Sequence, residues 1–233
     1  MKKHTMMGVS LLLASAPVLA EDGIKSSVEV GLLLTEGNAD TRSVNIKGNT
    51  EYTKGKSRNT LNAEVLYVDG DSGKLSEKYV GAGKTAYQFG KHSYAFLNGT
   101  LERDLFSGYD YQGTISAGYG YRFIDSKEMI FDLEAGPGYR RVKLDAEEAE
   151  GEVIARVSGK FLYQISKTSA FTEELVSDIG SDTVITKSVT AVTAQIVGNM
   201  SMKASLTIKN NSKPPAEADK TDAEVGLTLV YSF

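Results

Sequence analysis

The chain has 233 residues, and its 26 Lys and Arg against 30 Asp and Glu give a formal charge of −4. Mild acidity argues against nucleic acid as a partner, and the absence of cysteine excludes both a disulfide framework and thiolate chemistry. A hydrophobic share of 41% is too high for a disordered chain and suffices for one large β domain.

Residues 1–20 begin with Lys2 and Lys3, continue through an apolar stretch from Met6 to Leu13 and on to Leu19, and close on the small-residue site Val18-Leu19-Ala20. That pattern is a secretory signal peptide, too short to be a spanning helix. The mature chain is expected to be residues 21–233, and loss of the two lysines takes its formal charge to −6. Beyond the leader no apolar run reaches the roughly 18 residues that a transmembrane helix requires. An exported chain without a helical anchor is left with the periplasm, the outer membrane or the medium.

From Ser26 onward, segments of about ten residues alternate apolar and polar positions between turn residues, which predicts twelve strands. The first, 27–35, puts Val28, Val30, Leu32 and Leu34 on one face and is turned by Glu36-Gly37-Asn38-Ala39-Asp40. The second, 42–52, alternates Val44, Ile46, Thr50 and Tyr52 with Asn45, Lys47, Asn49 and Glu51, and the third, 59–68, sets Leu61, Ala63, Val65 and Tyr67 against Asn62 and Glu64. The fourth and fifth are 78–89 and 93–105. The sixth, 111–123, alternates without error, with Tyr111, Gly113, Ile115, Ala117, Tyr119, Tyr121 and Phe123 on one face. The seventh, 129–142, sets Met129, Phe131 and Leu133 against Asp132 and Glu134; the eighth, 152–164, sets Val153, Ala155 and Val157 against Arg156 and Lys160. Segments 169–176, 183–197 and 201–210 follow, and 221–233 closes the set with Val225, Leu227, Leu229, Tyr231 and Phe233 on one face.

The connections at 53–57, 90–92, 125–128, 165–168 and 198–200 are short, and those at 69–77, 106–110, 143–151, 177–182 and 211–220 are mostly longer. Short turns at one end and longer loops at the other are the pattern of outer-membrane barrels, with both termini of an even-stranded barrel on the periplasmic side. Aromatics cluster at strand ends in the same way. Tyr52, Tyr87, Phe89, Tyr94, Phe123, Phe161, Tyr163 and Phe233 lie toward the short turns, and Tyr67, Tyr79, Phe106, Tyr109, Tyr111 and Tyr139 toward the longer loops. Two girdles suit rings with one apolar and one wet side.

In hydrocarbon every backbone N–H and C=O must find a partner within the protein, so strands can span only as a closed barrel. With the apolar faces toward lipid, the opposite faces line a lumen containing Glu29, Lys47, Glu51, Glu64, Lys84, Glu102, Asp104, Arg122, Asp132, Glu134, Arg156, Lys160, Lys203 and Glu224. A soluble barrel with its apolar face inward has the opposite polarity and nowhere to place these charges without heavy desolvation. The predicted fold is therefore all-β, a transmembrane antiparallel β-barrel of about twelve strands. Lys47, Glu64, Lys84, Glu102, Asp104, Arg122, Asp132, Glu134, Arg156 and Lys160 are its candidate lumen-lining residues.

The final strand, ending Val230-Tyr231-Ser232-Phe233, resembles the assembly signal of bacterial outer-membrane barrels, with Tyr231 and Phe233 as its aromatic positions. Together with Gly37-Asn38-Ala39-Asp40, Glu102-Arg103-Asp104-Leu105-Phe106, Gly136-Pro137-Gly138-Tyr139-Arg140, Pro214-Pro215 and Lys220-Thr221-Asp222, it makes nearly the whole mature chain resemble a Gram-negative family of salt-induced outer membrane proteins of unknown function. The resemblance implies residence in the outer membrane and a role in salt or osmotic adaptation. It also implies contact with outer-membrane lipid and lipopolysaccharide, and handling by the barrel assembly machinery.

Motifs for catalysis are weak. Gly81-Ala82-Gly83-Lys84-Thr85 looks like the end of a phosphate-binding loop, but Lys78 stands where its first glycine belongs and no helix follows. Asp69-Gly70-Asp71-Ser72-Gly73 opens like a calcium loop, yet Val80 occupies the bidentate Glu position. The mature chain has one histidine, His92, in a predicted periplasmic turn, and Asp132 with Glu134 suits ion pairing with Arg122, Arg156 or Lys160 better than glycosidase chemistry. No cofactor and no metal site is indicated. Asp145, Glu147, Glu148, Glu150 and Glu152 make an acidic outer loop, which reads as a solvated face ahead of the alternative that it binds divalent cations bridging lipopolysaccharide. Two readings of function remain, a narrow channel for ions or a small solute with a mixed-charge lumen, and a sealed structural or adhesive barrel acting through that loop.

Overall fold

The computed structural model describes residues 23–35, 41–70, 73–105, 109–144, 148–214 and 219–233. The expected leader, the 36–40 turn, Phe106 and the Asp145–Glu147 part of the acidic loop lie outside them.

Twelve strands form a closed barrel in which each pairs antiparallel with its neighbours in sequence and the last pairs with the first. They are β1 (Ile24–Thr35), β2 (Thr41–Lys54), β3 (Ser57–Gly70), β4 (Gly73–Gln88), β5 (Ser93–Asp104), β6 (Tyr109–Asp125), β7 (Met129–Leu144), β8 (Glu150–Gln164), β9 (Ser169–Gly180), β10 (Val184–Val197), β11 (Met200–Asn211) and β12 (Thr221–Ser232). Alternation is the local cause: a strand turns successive side chains to opposite faces, so a period of two separates a lipid face from a lumen face.

The strands run from 12 to 17 residues, beyond the roughly 9–11 that cross a bilayer. They therefore project past it, and part of the loop length expected from sequence is taken up as paired hairpin. At the periplasmic end, 55–56, 126–128 and 198–199 remain tight turns. At the opposite end the longest connection is 212–220.

Register fixes the faces. Leu61, Leu101 and Val153 stand 65%, 58% and 73% exposed on the outer wall, and the residues beside them in each ladder share that face. An aromatic row runs round this wall above the short turns, through Phe123, Phe131, Phe161 and Phe171, with ring centroids 6.1 to 6.3 Å apart. Two residues expected in the girdles face the lumen instead. Tyr94 is 6% exposed and bonds Glu134 inside the barrel, and Tyr109 accepts a hydrogen bond from Asn211 across the lumen. Tyr94 follows the parity of Phe96 and Glu102, which the ladder places inward opposite Gly118 and Gln112.

A polar cluster on β9 and β10 interrupts the apolar outer wall. Glu173 pairs in register with Phe161 and Thr190, and so points outward just above the aromatic row. Ser188 and Thr190 donate to its two carboxylate oxygens at 2.6 and 2.5 Å, while Ser177 and Thr186 bond each other at 3.0 Å. Each hydroxyl and carboxylate here thus meets a polar partner within the wall, which is what a non-aqueous surrounding demands.

Gly81 and Gly83 of β4 do not relieve crowding, because a Cβ at either would meet nothing within 4 Å. Close approach instead governs the β6–β7 pair, where a Cβ on Gly136 would lie 2.0 Å from the Ala117 carbonyl oxygen. The barrel closes between β1 and β12 over Ser27↔Ser232 to Val30↔Leu229, continued by two backbone bonds of 2.9 Å between Ser26 and Phe233. Beyond Val30 both strands continue, but their ladder does not.

Candidate functional site: the charged lumen

All ten candidate lumen residues lie on the face opposite the exposed apolar side chains, as their registers show. Near-neighbour pairs form first. Lys47 meets Glu64 at 2.9 Å from the adjoining strand. Arg122 grips Asp132 with Nε at 2.7 Å and Nη2 at 3.0 Å, a two-pronged geometry suited to a planar guanidinium. Arg156 donates to both oxygens of Asp178, at 2.9 and 3.0 Å.

Other pairs ignore strand order. Glu134 of β7 takes an ion pair from Lys84 of β4, a hydrogen bond from the Tyr94 hydroxyl at 2.8 Å and another from Ser158 at 3.1 Å. Arg58 of β3 lies 4.0 Å from Asp132 of β7, with its guanidinium carbon 5.9 Å from the Tyr94 ring centroid. Glu102 of β5 meets Lys209 of β11 at 2.7 Å, and those strands stand six apart in a ring of twelve.

That last pair sets the shape of the lumen. Twelve strands about 4.8 Å apart and tilted by about 40° would close a circle roughly 24 Å across. Lys and Glu reaching toward each other bridge no more than roughly 14 Å between Cα atoms. The barrel is therefore flattened across β5 and β11, and Glu102–Lys209 spans its short axis. Asn211 donating to the Tyr109 hydroxyl at 3.2 Å, between β11 and β6, reinforces the same approach.

Asp104 faces the lumen beside Lys78 in the β4–β5 ladder. Lys160 also faces inward, next to Glu174 and Asp132 in its ladders, but it is exposed, which marks water-accessible space in the periplasmic half of the lumen. Asp132 and Glu134 are thus held by Arg122 and by Lys84, Tyr94 and Ser158. Neither Arg156 nor Lys160 is the partner suggested by adjacency.

Sequence reasoning passed over Arg58, Lys78, Arg140, Asp178, Lys187 and Lys209. Each lies at an inward position of its strand: parity could have found Lys78, Arg140, Lys187 and Lys209, whereas Arg58 and Asp178 lie where the strands run past their expected ends. Arg140 is the most constrained: it is 2% exposed, its Nη2 donates to Glu152 and at 2.7 Å to the Thr183 carbonyl oxygen, and its Nη1 has no partner among the described residues. Glu152→Gln is expected to lower stability by about 3 kcal/mol, because it strands a buried guanidinium without its counter-charge. A urea unfolding midpoint unchanged from wild type would refute that role.

Residues 28–233, nearly the full extent of this barrel, match the model of a family described as "Protein of unknown function, DUF481". The chain belongs to the DUF481 family. A relative, the uncharacterised protein YdiY of Escherichia coli (strain K12), is 25% identical over 218 residues, 93% of this chain and 86% of that protein. Solved structures of similar fold include the NanC porin, with a TM-score of 0.57 at 8% identity over 88% of this chain and 98% of that one. An outer membrane channel from Pseudomonas putida F1 gives a TM-score of 0.52 at 10% identity, covering 91% of this chain and 95% of that one. At such identities the likeness is one of fold, and the fold is that of outer-membrane β-barrels.

Proposed function

We propose that this DUF481 protein is a narrow outer-membrane channel whose mixed-charge lumen is held shut at rest by ion pairs crossing it. The observation that carries this reading is the Glu102–Lys209 bridge between strands on opposite sides of the flattened barrel. A barrel stabilised only by its wall has no need to spend a lysine and a carboxylate on its own short axis. The periplasmic half, where Lys160 is exposed on the lumen face, supplies the water-filled approach to the constriction.

The same bridge gives a physical content to adaptation to salt. Attraction between partly solvated charges weakens as the screening length falls from about 8 Å at physiological ionic strength to about 3 Å at 1 M, so rising salt loosens the constriction. On this reading the lumen carboxylates Asp132 and Glu134 shape an ion path and perform no hydrolysis, and the lipid wall seats the barrel among outer-membrane lipid and lipopolysaccharide. Planar-bilayer recording of the refolded mature protein tests the proposal. Discrete single-channel currents are expected; a demonstrably folded barrel silent at every salt and voltage overturns the channel and leaves a sealed structural barrel.

A further inference from the structure

Most charges in the lumen are matched, but Lys78 of β4 and Lys187 of β10, like the water-exposed Lys160, are not. Neither makes a hydrogen bond or an ion pair among the described residues, although both face the constriction from strands six apart. Lys187 stands directly opposite Lys209 in the β10–β11 ladder, a like-charge placement that costs stability when nothing intervenes.

The carboxylates around Lys187 are already engaged. It interacts electrostatically with Glu64 and Glu102, and with Lys78 and Lys209. Glu64 is held by Lys47 at 2.9 Å, and Glu102 by Lys209 at 2.7 Å. Lys78 is shared among Glu64, Glu102, Glu224 and Asp104 without a direct bond to any. Of these, Glu224 accepts a hydrogen bond from Asn45 at 3.3 Å. Three ammonium groups from three strands thus converge on the short axis of the lumen, and two of them keep all their donors free.

We propose that Lys78, Lys187 and Lys209 form an anion-binding site at the constriction, taking a small multivalent oxyanion of the phosphate type. Such an ion carries several acceptor oxygens and more than one negative charge. It can bond lysines from opposite walls at once and remove their mutual repulsion, which a single carboxylate side chain cannot do. A bound oxyanion also competes with Glu102 for Lys209, so occupancy of the site and closure of the bridge oppose each other. The inference deepens the channel reading by naming the class of solute, and it rests on that reading for any passage of the ion through the barrel.

Calorimetric titration of the folded mature barrel in micelles with pyrophosphate at low ionic strength tests the site without requiring conductance. Wild type is expected to bind one pyrophosphate saturably, and Lys187→Gln and Lys78→Gln each to weaken binding about tenfold, the loss of one charge-assisted hydrogen bond. Lys127→Gln, in the 126–128 turn, is expected to bind as wild type. Lys187→Gln removes one of two facing like charges, so its folding is not at risk. Absence of saturable binding to wild type, or unchanged affinity in both lumen variants, overturns the proposal. Bilayer recording separates the two failures: a barrel that conducts without binding pyrophosphate keeps the channel and loses the anion site. One that binds without conducting loses the channel and keeps the site.

Discussion

Neutralising both ends of the lumen bridge, by Glu102→Gln together with Lys209→Gln, is expected to raise single-channel conductance severalfold and flatten its dependence on salt. The bridge joins the walls at 2.7 Å across the short axis, so an ion passing between β5 and β11 must part the pair. Two amides of nearly the same size remove the attraction while leaving the volume almost unchanged, and any gain in current therefore reports charge pairing and not a wider hole. Wild-type conductance should climb more steeply with salt than the bulk electrolyte does, whereas the double variant should follow the bulk. Stability supplies an independent readout. Each single substitution leaves one charge without its partner, and the double does not, so the cycle should show a coupling of about 1–3 kcal/mol. A conductance equal to wild type in the double variant would sink the bridge as the element that closes the lumen.

Gly136→Ala is expected to prevent assembly of the barrel. Its Cβ would lie 2.0 Å from the Ala117 carbonyl oxygen and 2.6 Å from Gly118 Cα, and Gly118 meets the reciprocal limit at 2.2 Å from the Ala135 carbonyl oxygen. These are backbone atoms, which cannot swing aside, and the β6–β7 ladder has no registered pairs between Ser116↔Gly138 and Tyr119↔Ala135 through which to absorb the strain. The cost should exceed about 3 kcal/mol, in the range reserved for severe overpacking. Gly83→Ala on the outer wall is the matched control: its Cβ meets nothing within 4 Å, and an alanine in a strand interior should gain about 0.5–1 kcal/mol. Heat-modifiable gel mobility measures the folded fraction of both, and equal folding of the two variants would refute the account.

The barrel itself was readable because its cause is local. Strand β6 alternates without error over 111–123, and the parity of that segment puts Arg122 inward as surely as it puts Phe123 outward. Tyr94 shows where the reading failed although the signal was present: position along the strand suggested a girdle, while parity with Glu102 required the lumen. Glu173 lay beyond legibility for another reason. Thr186, Ser188 and Thr190 take consecutive outward positions of β10 and Ser177 faces one of them from β9, so the period of two is blurred there and no face declares itself. The Glu102–Lys209 and Lys84–Glu134 pairs were illegible on principle. Alternation states which face a side chain takes, but only closure and flattening of the ring decide which distant strand stands opposite.

The incomplete seam between β1 and β12 has a consequence of its own. From Ser26 to Val30 the two strands are bonded, whereas the Thr221–Thr228 part of β12 has β11 on one side and no registered strand on the other. Amides of that part that point toward β1 lack a bonding strand. They should take up deuterium before those of β6 and β7, whose ladder runs from Tyr109↔Leu144 to Asp125↔Ile130. The wall then behaves as a zipper fastened at its periplasmic end, parting first where the last strand stands beside the first at the cell surface, so that the barrel frays from outside inward and keeps its periplasmic ring longest.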